Sequence, residues 1–153
     1  AAANAAAAER AIREAPMEDL AFATLDRQRA LRSGFPEVVF GQGKTPAQVV
    51  AIATRLFERH GLVLVTRADD AARAALAAAH PRAQVHERAR CVVLRRRAAR
   101  PRGRVLVVCA GTADLPVAEE ALVTARTMGS RAELVPIVCA PLWSDDCTWP
   151  APN

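Results

Sequence analysis

The sequence is short of lysine, tyrosine and aromatic rings of any kind. Lys44 is the only lysine among 21 basic residues, there is no tyrosine, and aromatic residues make up 4% of the chain. No Phe, Tyr or Trp lies between Phe57 and Trp143. That gap argues against a single-stranded nucleic-acid surface, which interleaves cations with stacking rings. The 4 cysteines, Cys91, Cys109, Cys139 and Cys147, form no C-x-x-C pair. Their spacing therefore indicates neither a zinc site nor a disulfide framework. No apolar run reaches the ~18 residues of a membrane-crossing helix. The alanine-rich start has no basic segment ahead of a leucine-rich core, so it makes a poor signal peptide. A cytoplasmic protein without a membrane partner is the expectation.

What is present suits a folded α/β chain. The 153 residues allow about one domain, or one small domain and part of a second. Apolar residues reach 52%, but many are alanine, so the core is expected from Val, Leu and Ile. Cys91 and Cys109 sit inside such runs and read as buried small hydrophobes. The net charge of +5 favours anionic partners. One cluster, Arg95, Arg96, Arg97, Arg100, Arg102 and Arg104, reads either as a nucleic-acid patch or as a solvated interdomain linker. The lack of rings favours the linker, and nucleic acid is not the expected partner.

Along the chain, residues 1–14 read as a helix by alanine propensity, ended by Pro16. Residues 17–34 read as a short segment and a helical turn closed by Gly34. Pro36 to Phe40 is a strand candidate. Thr45, Pro46 and Gln48 then form a helix start, with Thr45 as N-cap and a capping box to Gln48. Val49, Ile52, Ala53 and Leu56 recur at helical spacing up to Gly61. The strand LVLVT, an alanine-rich helix over 69–79 and the strand CVVL follow. The alternation over 36–95 predicts a small α/β unit with a largely parallel sheet. A second unit begins at Arg104, with strand 105–111, a helix closed by Gly129 and strand 132–138, the first β-α-β of a doubly wound fold. The expected division is a helix over 1–16, an α/β domain over 17–97, a linker over 98–103, the second unit over 104–138 and an irregular tail over 139–153. The second unit, whose strands would leave unpaired edges, is expected to be loosely held or to aggregate.

Three local patterns bear on chemistry. In CAGTADLPVAEE a strand ends in Gly111 and a helix follows. It reads as an anion-binding helix start, or as an ordinary turn with Asp114 as N-cap, Pro116 in the first turn, and Glu119 and Glu120 complementing the helix dipole. In FGQGKTP the glycine that a phosphate-binding G-x-x-x-x-G-K-T requires is Val38, which excludes that motif. Lys44 and Thr45 at a helix start read either as a weaker phosphate or carboxylate cradle or as a plain capped turn. Asp26, Arg29 and Arg32, spaced by three, share one face if helical, as an ion-pair ladder or as an anion-recognising face. His60, His80 and His86 are too far apart in sequence to suggest a metal triad.

Read in order, LDRQRALRSGFPEVVFGQGKTP, LVLVTR, HERAR and VLVVCAGTADLPVAEEA resemble the LarB family of nickel-pincer cofactor biosynthesis, over roughly residues 17 to 130. The resemblance implies a small N-terminal α/β domain, then the first β-α-β of a Rossmann-like, PurE-like (aminoimidazole ribonucleotide carboxylase-like) domain, here incomplete. It implies a synthase of pyridinium-3,5-biscarboxylic acid mononucleotide. The substrates would be nicotinic acid adenine dinucleotide and CO2 or bicarbonate, with AMP released on the route to the lactate racemase cofactor. No tightly bound cofactor is implied. Whether magnesium assists phosphoanhydride cleavage stays open, with Asp114 the acid to test. Full-length relatives are expected to form homo-octamers. Gly111, Thr112, Asp114 and Pro116 stand where PurE-type relatives carry a phosphate-binding loop, and Ala113 departs from the serine usual there. In the family a late cysteine adds to the pyridinium ring. None of the four cysteines lies in a matching segment, and Asp145 and Asp146 oppose a thiolate at Cys147. The chain is therefore expected to be truncated and inactive alone. The rival expectation is a non-catalytic nucleotide- or anion-binding module.

Overall fold

The computed structural model describes residues 37–97 and 101–137, and the backbone of 17–19 and 24–26. The expected N-terminal helix, Arg29, Arg32, Cys139, Cys147 and the tail lie outside the described residues. Strands β1 (Met17–Asp19) and β2 (Thr24–Asp26) pair antiparallel, with Met17 opposite Asp26. Asp26 thus sits on a strand, while Arg29 and Arg32 lie outside the described residues. The three-residue spacing fits a helix there, but Thr24 and Leu25 enter the ladder instead.

Strand β3 (Val38–Phe40) leads into helix α1 (Pro46–His60). Both reciprocal bonds of the capping box form: Gln48 N donates to Thr45 Oγ1 at 3.3 Å, and Thr45 N donates to Gln48 Oε1 at 3.0 Å. Pro46 fills the first turn, where a missing N–H costs nothing. Gly61 ends the helix at φ 68°, a left-handed geometry that suits glycine. Strand β4 (Leu62–Thr66), helix α2 (Asp70–Ala79), strand β5 (Gln84–His86) and strand β6 (Cys91–Arg95) follow.

The four strands order β3-β4-β6-β5. Only β3 and β4 are parallel, whereas β6 runs antiparallel to both β4 and β5. The expectation of a largely parallel sheet is corrected by the link between β5 and β6. Residues 87–90 are too few for a crossover, which takes a dozen residues or more. They can close only a hairpin, and Arg90 turns it at φ 51°.

The continuous apolar runs of β4 and β6 have a simple cause: both faces of the sheet are covered. Val63, Val65, Val92 and Leu94 face α1 and α2, where Val49, Ile52, Leu56 and Leu76 complete the main core. Leu64, Cys91 and Val93 face the other way. Each large side chain fully hidden here, such as Leu64, Leu76 or Leu94, contributes about 1.5–3 kcal/mol of burial.

The second unit covers that other face. Strand β7 (Arg104–Ala110), a 3-10 turn (Thr112–Asp114), helix α3 (Leu115–Thr127) and strand β8 (Arg131–Ile137) form a β-α-β with β7 parallel to β8. Val123 and Met128 pack onto Leu64, Cys91 and Val93. The second unit is therefore joined to the first by a shared apolar layer. Its strands keep Val105, Leu106, Val108, Val135 and Ile137 exposed.

Candidate ligand site

Among the described turns that end parallel strands and open helices, the position at which open α/β sheets receive ligands, β3–α1 and β7–α3 carry glycines. In the β3–α1 turn, Gly41 lies against β4. Its N–H donates to Thr66 O at 2.8 Å, and a Cβ there would stand 3.1 Å from Ala68 Cα. Glycine is required by this close approach rather than by its dihedral angles. Gly43 takes φ 79°, and Lys44 N closes the turn on Gly41 O at 3.1 Å. Lys44 Nζ folds back onto Phe40 O at 2.8 Å, leaving two of its three N–H groups for another acceptor. Thr45 is engaged in the cap. The turn is thus a capped helix start with a cation held over it.

The β7–α3 turn is built differently. Gly111 takes φ 87° and ψ 158°, outside the reach of most side chains, and its N–H donates to Ile137 O at 3.2 Å. Gly111, Thr112, Ala113 and Asp114 are all exposed. Asp114 stands at the N-cap of α3, yet its side chain makes no capping bond. The cause is its backbone: φ −85° and ψ −12° are helical, whereas a capping carboxylate needs extended geometry. The expected Asp114 cap is corrected accordingly. Pro116 occupies the first turn. The start of α3 lacks a side-chain cap, but its Leu115 N–H donates to Thr112 O and Pro116 has no N–H, so the donors an anion could meet are those of the exposed 3-10 turn that precedes it.

Glu119 and Glu120 also depart from expectation. Helix α3 begins at Leu115, which puts both acids in its second turn, too far in to serve its dipole. They tie the two units instead. Arg67 Nε meets Glu120 Oε2 at 2.6 Å, and Arg88 Nη1 meets Glu119 Oε1 at 3.3 Å. Arg67 follows Thr66, the residue that anchors Gly41, so the β3–α1 turn and the first half of α3 are linked through two adjacent residues.

The HERAR segment, quoted only for its resemblance, holds these parts together. Glu87 accepts two bonds from Arg73, at 3.1 and 2.9 Å. Arg73, itself buried, also donates to Ala68 O and Asp70 Oδ1, both at 2.7 Å. Arg88 reaches Glu119, and Arg90 O accepts from Ala68 N at 3.0 Å. His86 faces a cavity of about 460 Å³ between the sheet and α3. Burial, and then the charge of Arg126, hold its imidazole below the ordinary value of 6.5, against an opposing pull from Glu119. The sequence signal that could have revealed this was the dense alternation of charge across a predicted hairpin.

The remaining candidates stand apart. The arginine cluster does not form one stripe. Arg96 lies over the Phe57 ring at 5.3 Å and donates to Glu58 O at 3.1 Å, whereas Arg104 meets Glu133 at 3.9 Å. Arg95 is a strand residue whose Nε is buried, not a solvated linker side chain. His80 bonds Thr54 Oγ1 at 2.8 Å and meets Phe57 edge-on. Cys91 is buried, and burial pushes its thiol up to about 11. Cys109 is buried in β7. Among the described residues no group of three His, Cys, Asp or Glu side chains could hold a metal ion, and no helix is long and apolar enough to cross a membrane.

These features define an α/β protein with a glycine turn and an open helix start presented to an anion. Residues 17–97 match the LarB/PurE-like N-terminal domain family, and the chain belongs to that family. The family is related to the LarB and PurE carboxylases. An uncharacterized protein of Methanocaldococcus jannaschii is 30% identical over 115 residues, covering 71% of this chain. The chain spans 45% of that relative's length.

Proposed function

We propose that this protein serves the first step of nickel-pincer nucleotide synthesis. That step carboxylates the pyridinium ring of nicotinic acid adenine dinucleotide and hydrolyses its phosphoanhydride. The products are pyridinium-3,5-biscarboxylic acid mononucleotide and AMP. Membership of the LarB/PurE-like family supports the reaction class. The observation that carries the reading onto this chain is the exposed turn Gly111 to Pro116 before an uncapped helix start.

In this reading the N–H groups after Gly111 receive a phosphate oxygen, with the Thr112 hydroxyl as a further donor. Gly111 has no Cβ to hold the ligand off the backbone. Asp114, free of capping, is available to orient a ribose hydroxyl or a water. Lys44 adds positive charge from the β3–α1 turn. The ring carboxylation requires a nucleophile. Neither described cysteine fits, since Cys91 stays a thiol up to about pH 11 and Cys109 is enclosed in its strand. Among the described residues, then, the chain offers groups to bind the dinucleotide but no nucleophile to convert it, which also accommodates the reading as a nucleotide-binding module.

The test is to incubate the 153-residue chain with the dinucleotide and labelled bicarbonate, and to follow AMP and label in the nucleotide pool. The expected outcome is no AMP above background, with dinucleotide binding that Thr112→Val and Asp114→Asn weaken. Release of AMP with label incorporated would overturn the non-catalytic assignment. Absence of binding would overturn the reading itself.

A further inference from the structure

We propose that the cleft between the four-stranded sheet and α3 is a binding site for a small phosphate- or carboxylate-bearing molecule, its anion gripped by Arg95 and Arg126. This site is separate from the Gly111 turn and does not rest on the dinucleotide reading.

The cleft has room. A cavity of about 460 Å³ is lined by Gln84, His86, Arg95, Glu119 and Arg126, and a second of about 400 Å³ shares Arg95 and Arg126 with it. The two arginines thus stand where the spaces meet. Each space is within the range of small-ligand pockets and suits a ligand of mononucleotide size or less.

The charges of the cleft do not balance. Arg95 ends β6 half-buried, at the strand position that alternates with Cys91 and Val93. Its Nε is buried and, among the described residues, has no hydrogen-bond partner. Buried donors are nearly always paired. Arg73 shows how this chain treats a buried guanidinium, with two carboxylates and a carbonyl around it. Arg95 is less enclosed than Arg73, but its buried Nε has no such acceptor among the described residues. Arg126 donates Nε to Ala132 O at 2.9 Å, which holds its guanidinium while leaving the terminal nitrogens for another acceptor. The carboxylates lining the two spaces are Glu119 and Glu133, and each is paired with another arginine, Arg88 and Arg104 respectively. The missing acceptor is an external anion, which a pair of guanidinium forks binds through parallel N–H groups. His86 lines the same space as a further hydrogen-bonding group, its imidazole held below its ordinary value by burial and by Arg126.

The experiment is calorimetric titration of the 153-residue chain in a zwitterionic buffer at fixed salt, with inorganic phosphate in one arm and succinate in the other. Saturable one-to-one binding is expected in at least one arm, and the stronger arm identifies the anion chemistry. Arg95→Met and Arg126→Met should each weaken it by about tenfold or more, the loss of one charge-assisted contact. Glu119→Gln removes the opposing charge and should tighten binding. Arg55→Gln, an exposed arginine on α1 that lines neither space, should leave it unchanged. If Arg126→Met fails to fold, Arg95→Met and Glu119→Gln carry the test, because no hydrogen bond of Arg95 is lost. No saturable binding in either arm would overturn the proposal. So would equal losses in Arg95→Met and Arg55→Gln, which would report net charge alone.

Discussion

Arg73 and Arg95 lie on the same sheet-and-helix unit, and what separates them is the company each keeps. Neither role is visible in the sequence, where both belong to a general excess of arginine. Arg73 sits mid-helix in an alanine run, and only the hairpin after β5 brings Glu87 back to it. By contrast, the burial of Cys91 and Cys109 was legible, because a small residue inside a Val/Leu run has few other places to go. His86 gives the residue-scale prediction. Its folded-state pKa is lowered, so the native chain binds fewer protons than the unfolded chain below 6.5. Its contribution to stability is therefore present above about 6.5 and is lost as pH falls through the folded value. An NMR titration should place the His86 midpoint under 6.5, and Arg126→Gln should raise it by removing a repelling charge. A midpoint at or above 6.5 in the parent chain would contradict this origin.

At the scale of elements, helix ends were the most readable features. Thr45, Pro46, Gln48 and Gly61 state the limits of α1 in local chemistry, and each one acts as its type demands. Thr45→Ala removes an acceptor for the Gln48 N–H and should cost about 1 kcal/mol, read as a lower midpoint in urea with an unchanged slope. A cost near zero would show that the cap is redundant. The start of α3 was misread for the same reason that α1 was read well. Asp before Leu-Pro is a capping signal by composition, but a 3-10 turn puts Asp114 in helical geometry and frees its carboxylate. The direction of β6 was also hidden. An apolar run shows that a strand is buried on both sides, but not which way it runs. Here the short link over residues 87–90 decides.

For the whole molecule, the α/β class and the order of elements followed from periodicity, and the family from motifs spread over both units. The contact between the units did not. Leu64, Cys91 and Val93 announce a covered second face, yet nothing local says that α3 of the next unit covers it. That packing, with the Arg67–Glu120 and Arg88–Glu119 pairs, links the two units into one arrangement. It presents the Gly111 turn on a supported helix, and with it the site on which the proposed function depends. The most direct test is a two-dimensional NMR titration of the isotope-labelled 153-residue chain with nicotinic acid adenine dinucleotide. The account predicts saturable shifts in the amides of Gly111, Thr112, Ala113 and Asp114, reduced in Thr112→Val. Unmoved amides in that turn at saturating dinucleotide would contradict it.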